Sequence, residues 1–385
     1  MIDIFRFSAL SRARYLPFFL LAAMPGLAQR AAPLASPEVH SDNRVTFHFR
    51  DPNAKKVSLW IEGRAQHIPM TKDERGVWSV TTGPLNPDFY GYNFIADGVE
   101  LADPLTPYMM MPNLRAPVSM LHVPGPASLP WELNEVPRGV IHRHFFRSRV
   151  VGDERDFYVY TPPGYDPRGK DLYPVLYLLH GSGEDDRGWI DFGRAHVILD
   201  NLIAHGNAKP MIVVMPFGYG LPDVLTRGRP TSRDASFRQR NLDNCRDSVL
   251  QEVIPAVESA YRVSPGRTSR AIAGLSMGGG QSLFIGLNNL DRFAWIGAFS
   301  AGGGDGDFEK SYPALDAQAN AQLRLLWISC GTDDRLLEGN RKFRDWLNSK
   351  GIRQSYVETS GMHSWQVWRP NLAAFVPLLF QKVAP

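Results

Sequence analysis

The chain has 385 residues, room for about two domains at ~150 residues each. Its 44% hydrophobic content is enough to bury sizeable cores and excludes a disordered protein. The formal net charge is +3, part of it carried by Arg6, Arg12 and Arg14; no later run of like charge or basic stretch interleaved with aromatics marks a nucleic-acid groove, so nucleic acid is excluded as a partner.

Those first arginines are followed by YLPFFLLAAM and then PGLAQ. A basic start, a short apolar stretch and small residues at a cut site are the three parts of a secretory signal. Residues 1–28 are expected to be removed by cleavage after Ala28, leaving a secreted or periplasmic chain. The apolar stretch is too short to span a bilayer comfortably, and no other segment is apolar enough, so no stable membrane insertion is expected after cleavage.

Residues 37–123 show short alternating runs, RVTFHFRD, KKVSLWIEG, GVWSVTTG and FYGYNFIADG, separated by turn residues. Period-two alternation bounded by Gly, Pro, Asn and Asp predicts half-buried strands of an antiparallel sandwich. Trp60 and Trp78 lie on these strands, where tryptophans more often fill the core than stack on a sugar. A proline-rich passage over 124–139, VPGPASLPWELNEVPRG, then predicts an extended linker.

From 140 to 383 the texture changes. YPVLYLLHG, KPMIVVMPFG, SRAIAGLSMGG, FAWIGAFSAG and LRLLWISCGTDD are nearly continuous apolar runs, as in parallel strands buried on both faces. GRAHVILDNLIAHG, CRDSVLQEVIPAVESAYRV, GGQSLFIGLNNL and NRKFRDWLNSKG read as the helices between them. This alternation predicts one α/β domain with its site at the carboxyl ends of the strands. Two cysteines, Cys245 and Cys330, are too few for a disulfide framework and are expected as free thiols, Cys330 as a small buried hydrophobe.

Within AIAGLSMGGGQ, the residues Gly274-Leu275-Ser276-Met277-Gly278 match G-x-S-x-G after a predicted strand and before a predicted helix. In such a turn a strained backbone points the serine hydroxyl out of the sheet, and side chains at the flanking glycines would collide with their neighbours. A serine hydroxyl is a weak nucleophile at neutral pH and needs a histidine base oriented by a carboxylate. In this context the chain order is Ser, acid, His, and His363 in ETSGMHSWQVW is the one histidine after Ser276. Asp333 and Asp334 both fall just past a buried-strand run, and spacing alone does not choose between them.

The Met277 amide, at the start of the helix, is placed to stabilise an oxyanion, and the second donor is expected from YLLHGSGEDD, at Ser182 or Gly183. His180, just before that glycine turn, suits loop shaping rather than catalysis. His142 and His144 share one face of a strand without a completing ligand, and GGGDGDFEK lacks calcium-loop spacing, so no metal is expected. Gly279 stands where a serine β-lactamase pattern requires lysine.

The second block resembles the esterase group of α/β-hydrolases that includes feruloyl and acetylxylan esterases of carbohydrate esterase family one, enterobactin-type siderophore esterases and the mycolyltransferases. VYTPPGYDP, YPVLYLLHGSGEDDRGW, VIPAVESAYRV, AIAGLSMGGGQSL, CGTDDRLLEGNRKF and GMHSWQVWRPNL carry the likeness over nearly all of residues 140–380. The resemblance implies an α/β-hydrolase with Ser276 as nucleophile, His363 as base, Asp334 as orienting acid and the Ser182 and Met277 amides as the oxyanion hole. YGYNFIADGVELADPLTP is similar to early-set, immunoglobulin-like domains, related to family forty-eight carbohydrate-binding modules, that often precede such esterases.

The expectation is a secreted serine esterase, without metal or organic cofactor, that removes feruloyl or acetyl groups from plant polysaccharide through an acyl-enzyme. Trp189, Tyr219 and Trp365 lie in predicted strand-end loops, where they suit either an aromatic acyl pocket or packing. The alternatives are a siderophore trilactone esterase, for which the basic stretch LTRGRPTSRDASFRQR would be relevant, and a carbohydrate-binding protein with a dead hydrolase fold, which the Ser, acid and His argue against.

Overall fold

The computed structural model describes residues 34–106, 109–110, 117–222, 224, 235–303 and 306–381. The signal segment expected over residues 1–28 lies outside the described residues. Among the described residues no helix is long and apolar enough to cross a membrane.

Residues 38–123 form two antiparallel sheets. One has the order β1-β2-β6-β5, built from β1 (Glu38–Val39), β2 (Val45–Arg50), β5 (Thr71–Lys72) and β6 (Val77–Thr81). The other runs β4-β3-β7-β10-β9, with β3 (Val57–Ile61), β4 (Ile68–Pro69), β7 (Asp88–Ala96), β9 (Met109–Met110) and β10 (Val118–Val123), and β8 (Val99–Leu101) paired to β7. Alternation in β2 turns Val45, Phe47 and Phe49 inward. Phe47 meets Tyr92 and Phe49 meets Phe94 across the sandwich, with ring centroids 4.9 and 4.8 Å apart.

The central strands β3, β7 and β10 of the second sheet are buried on both faces. Leu59, Ile61, Tyr90, Tyr92, Phe94, Leu121 and Val123 fill the sandwich, while Phe89, Val118 and Met120 point the other way and pack with Trp60 into the core of the α/β region. The sequence-based expectation of half-buried strands therefore fails here, because the outer face of this sheet is itself a docking surface. Neither Trp60 nor Trp78 is laid out as a sugar platform: Trp60 packs on the α/β core, and Trp78 is buried with its Nε1–H donating to the Asp51 carbonyl.

The expected linker over 124–139 is also packed. Trp131 is buried and donates to Asp88 Oδ1 at 2.7 Å, Arg194 donates to its carbonyl, and the Asn201 amide donates to the carbonyls of Pro130 and Glu132. The two regions accordingly belong to one compact unit that begins at Ala35.

The α/β region holds an eight-stranded sheet in the order β11-β12-β14-β13-β15-β16-β17-β18. These are β11 (Val140–Arg147), β12 (Glu154–Thr161), β13 (Val175–Leu179), β14 (Ile212–Pro216), β15 (Arg270–Leu275), β16 (Trp295–Phe299), β17 (Leu325–Gly331) and β18 (Ser355–Thr359). β11, β12 and β14 pair antiparallel, and every pairing from β14 onward is parallel. Residue parity splits the buried strands between two cores. Leu176, Leu178, Val213 and Met215 face the helices Ala195–Ala204 and Trp365–Phe375; Val175, Tyr177, Ile212 and Val214 face the helices Met277–Leu287 and Leu337–Ser349. Cys245 and Cys330 are free and buried, and burial pushes both thiols up to about 12.

An ion pair joins the two regions. Arg369, 1% exposed on the helix Trp365–Phe375, donates from Nη1 to Asp88 Oδ1 at 2.7 Å and from Nε to the Phe192 carbonyl at 2.9 Å. Burial raises the pKa of the Asp88 carboxyl against the opposing Arg369 charge, and burial likewise lowers that of Arg369. Breaking a buried pair strands a charge, so Arg369→Met should lower unfolding stability by about 3–5 kcal/mol in urea titration. Arg341→Met, which breaks the exposed pair with Glu358, should cost less than about 1 kcal/mol.

Candidate active site

β15 ends at Leu275 and the helix Met277–Leu287 begins two residues later, which leaves Ser276 alone to turn the chain. It does so at φ 52° and ψ −113°, a region that L-residues rarely adopt and that costs roughly 1–3 kcal/mol. Three backbone bonds hold it there: Ser276 N–H donates to the Phe299 carbonyl at 2.9 Å, and the Ser276 carbonyl accepts from Gly280 at 3.1 Å and Gly302 at 2.8 Å.

The flanking glycines are needed for close approach. A Cβ on Gly274 would stand 2.7 Å from the Leu179 carbonyl oxygen, and one on Gly278 would stand 2.5 Å from the carbonyl oxygens of both Leu179 and His180. Backbone atoms cannot swing aside as a flexible side chain can.

The structure brings Ser276, His363 and Asp334 into one hydrogen-bonded chain. His363 Nε2 lies 3.0 Å from Ser276 Oγ, and His363 Nδ1 lies 2.7 Å from Asp334 Oδ2. Asp334 Oδ1 accepts the Leu336 N–H at 2.9 Å. The adjacent Asp333 is exposed and bonded to Thr332, so the two aspartates left open by sequence spacing point in different directions. Burial favours the neutral Asp334 carboxyl, but the His363 hydrogen bond and charge, the Leu336 amide and Ser300 outweigh it and bring its pKa below the usual value. Such a chain can take a proton from a serine hydroxyl and hold the resulting imidazolium beside a carboxylate.

The loop after β13 lies against this serine: a Cβ on Gly181 would be 3.6 Å from Ser276 Cβ. In that loop the Gly183 N–H donates to Tyr219 Oη at 2.8 Å, which engages one of the two candidate oxyanion amides. Ser182 stands beside it, half-buried, and Met277 opens the helix on the other side of Ser276.

His180 is buried and clamps two loops. Its Nδ1–H donates to the Gly181 carbonyl at 2.8 Å, and its Nε2 accepts the Gly218 N–H at 2.9 Å. Burial lowers its pKa, which keeps the imidazole neutral as that pair of bonds requires.

The three aromatic residues that suited either an acyl pocket or packing are buried. Trp189 is 0% exposed, Tyr219 3% and Trp365 3%. Trp189 donates to the Leu179 carbonyl and packs on Trp365, Trp365 stacks on Phe192, and Tyr219 receives the Gly183 amide. These are the contacts of the packing alternative, and those of Tyr219 lie within the α/β region, with Phe217 and His180.

His142 and His144 pair with Thr161 and Tyr261. Among the described residues no group of three His, Cys, Asp or Glu side chains is placed to hold a metal. Asp305 and residues 225–234 of the basic stretch lie outside the described residues, while Asp307 caps a short helix through Lys310 N–H.

Sequence reasoning missed Ser300 and Glu62. Ser300 follows β16 at φ 48° and accepts from Trp368 Nε1 at 3.0 Å beside Asp334. Glu62 follows β3 and contacts the turn after His363. Neither sits in a motif.

Residues 148–379 match the sequence model of the Esterase family, described as "Putative esterase". The chain is 31% identical over 353 residues to an endo-1,4-beta-xylanase/feruloyl esterase of Xylanibacter ruminicola, covering 90% of this chain and 46% of the relative. It thus spans about half the length of that relative. A CE1 ferulic acid esterase from Anaeromyces mucronatus, solved in complex with ferulic acid, superposes with a TM-score of 0.56 at 25% identity, over 65% of this chain and 93% of that one. An enterochelin esterase from Shigella flexneri superposes with a TM-score of 0.68 at 20% identity, over 90% of this chain and 95% of that one, which is a likeness of fold.

Two outcomes follow from this geometry. Gly278→Ala should sharply reduce the yield of folded protein, whereas Gly83→Ala, with nothing within 4 Å of its added Cβ, should leave it unchanged; soluble expression and thermal melts compare them. Because Asp334 is held below its usual pKa, its ionisation stabilises the fold above the unfolded value near ~4 and ceases to do so as pH falls through the folded value. The urea midpoints of wild type and Asp334→Asn should therefore converge as pH is lowered from 7 to 3.

Proposed function

The chain belongs to the Esterase family, and from that premise we propose that it is a serine carboxylic-ester hydrolase working through an acyl-enzyme. The observation that carries this reading is the hydrogen-bonded chain Ser276, His363, Asp334 at 3.0 and 2.7 Å. Ser276 Oγ attacks the ester carbonyl carbon while His363 Nε2 takes its proton, and Asp334 stabilises the imidazolium. The amides of Met277 and Ser182 hold the oxyanion of the tetrahedral intermediate. Collapse of that intermediate breaks the C–O bond, and His363 returns the proton to the departing alcohol. Water, deprotonated by His363, then attacks the acyl carbon; a second collapse releases the acid and reprotonates Ser276.

The substrate we infer is a feruloyl or acetyl ester on plant polysaccharide, met outside the cytoplasm after removal of residues 1–28. The relative named xylanase/feruloyl esterase and the similar ferulic acid esterase solved with ferulic acid support this class. The likeness to enterochelin esterase is one of fold and adds no weight to a siderophore substrate.

Hydrolysis of methyl ferulate, p-nitrophenyl acetate and a catecholate trilactone, each with wild type and Ser276→Ala, tests the reading. The expected result is turnover of ferulate or acetate that falls by at least about 10³-fold in Ser276→Ala. A preference for the trilactone moves the substrate to a siderophore, and equal rates in both proteins remove the serine mechanism.

A further inference from the structure

The all-β region reaches the turn that carries His363. Glu62, half-buried just after β3, accepts the Trp365 N–H on Oε1 at 2.8 Å, and on Oε2 it accepts Gln366 Nε2 at 3.2 Å and the Gly91 N–H at 3.1 Å. Gln366 Nε2 also donates to the Phe89 carbonyl at 2.8 Å. Trp365 is the first residue of the helix Trp365–Phe375 and stands two residues after His363.

A helix start leaves backbone N–H groups without intrahelical partners, and the N-cap side chain normally takes one of them. Here the N-cap is Ser364, which makes no side-chain capping bond. The carboxylate that serves the first turn comes instead from a residue 303 positions earlier, at the helix end where negative charge is favoured. The same helix also orients the imidazole directly: the Trp368 ring meets the His363 ring edge-on at 4.8 Å between centroids, and Trp368 Nε1 is tied to Ser300.

We propose that Glu62 is a positioning residue for His363, capping in trans the helix that fixes the imidazole between Ser276 and Asp334. The inference rests on the reading of His363 as general base. It gives the all-β region a role in the reaction: the region supplies a cap that the α/β region lacks at this turn. Removing the carboxylate frees the first helical turn, and His363 Nε2 loses its register with Ser276 Oγ while the surface that meets substrate is unaltered. The loss should fall on kcat and leave KM in place.

The test uses the full chain and p-nitrophenyl acetate, with Glu62→Ala, Glu62→Gln, Ser276→Ala and Met120→Ala. Met120 lies on the same docking face and makes none of the hydrogen bonds of the Glu62 carboxylate, so Met120→Ala loosens the contact between regions and leaves that cap in place. Glu62→Ala should lower kcat roughly 10- to 100-fold, the scale of a small misplacement of a catalytic group, at unchanged KM. Glu62→Gln, which keeps an oxygen for the Trp365 N–H, should recover most of that loss. Met120→Ala should lower the melting temperature and keep wild-type kcat.

Wild-type kcat in folded Glu62→Ala, beside an inactive Ser276→Ala, overturns the positioning role and leaves the serine mechanism standing. Equal loss of kcat in Met120→Ala and Glu62→Ala overturns it too, since general loosening would then explain both. Activity retained in Ser276→Ala would instead remove the mechanism itself. If Glu62→Ala does not fold, Glu62→Met, which fills the same space without an acceptor for the Trp365 N–H, takes its place: kcat below that of Met120→Ala supports the role and kcat equal to wild type overturns it.

Discussion

A residue held at φ 52° and ψ −113° between a strand and a helix sets the terms for everything around it. The conformation is unfavourable on its own, so the chain must over-determine it. The Phe299 carbonyl and the Gly280 and Gly302 amides do so, and the helix beginning at Met277 can pass the end of β13 only because Gly274 and Gly278 bring no side chain into the crossing. The position of the Ser276 hydroxyl is the product of that crossing.

The remaining groups arrive by sheet order. β15, β16, β17 and β18 are neighbours and parallel, so their carboxyl ends lie side by side, where sites form in open α/β sheets. Ser276 follows the first, Ser300 the second, Asp334 the third and His363 the fourth. Asp334 and His363 follow adjacent parallel strands, β17 and β18, whereas Ser276 and His363 follow strands that β16 and β17 separate. The 2.7 Å contact of His363 with Asp334 thus follows the strand order, and the 3.0 Å contact with Ser276 depends on the loop after β18, which carries His363 back toward the end of β15.

This also explains what could be read from the amino-acid order. The strand runs, the G-x-S-x-G turn and the position of His363 are local or ordinal features, and they carry over to the fold. The choice of Asp334 over Asp333 depends on the direction of two side chains in one turn, which spacing does not encode; the family resemblance supplied it. For Trp189, Tyr219 and Trp365, spacing left pocket and packing both open. A sequence shows that aromatic residues lie near strand ends, but not what packs against their rings. The same blindness applied to β7 and β10, whose alternation hides two apolar faces, and to Trp131, which anchors what composition describes as a linker.

The polar part of that covered face has its own logic. Apolar packing by Phe89, Val118 and Met120 holds the regions together but tolerates sliding, since the hydrophobic effect is non-directional. Directional contacts fix the register, and they are costly unless fully paired. Burial raises the pKa of both Glu62 and Asp88 and lowers that of Arg369, and the Arg369 charge opposes the rise at both carboxyls. At the positive end of the helix Trp365–Phe375, Glu62 accepts the first N–H. Asp88 and Glu62 thus hold the helix at its side and at its start, a two-point grip that apolar contact alone could not give, on the element that follows His363.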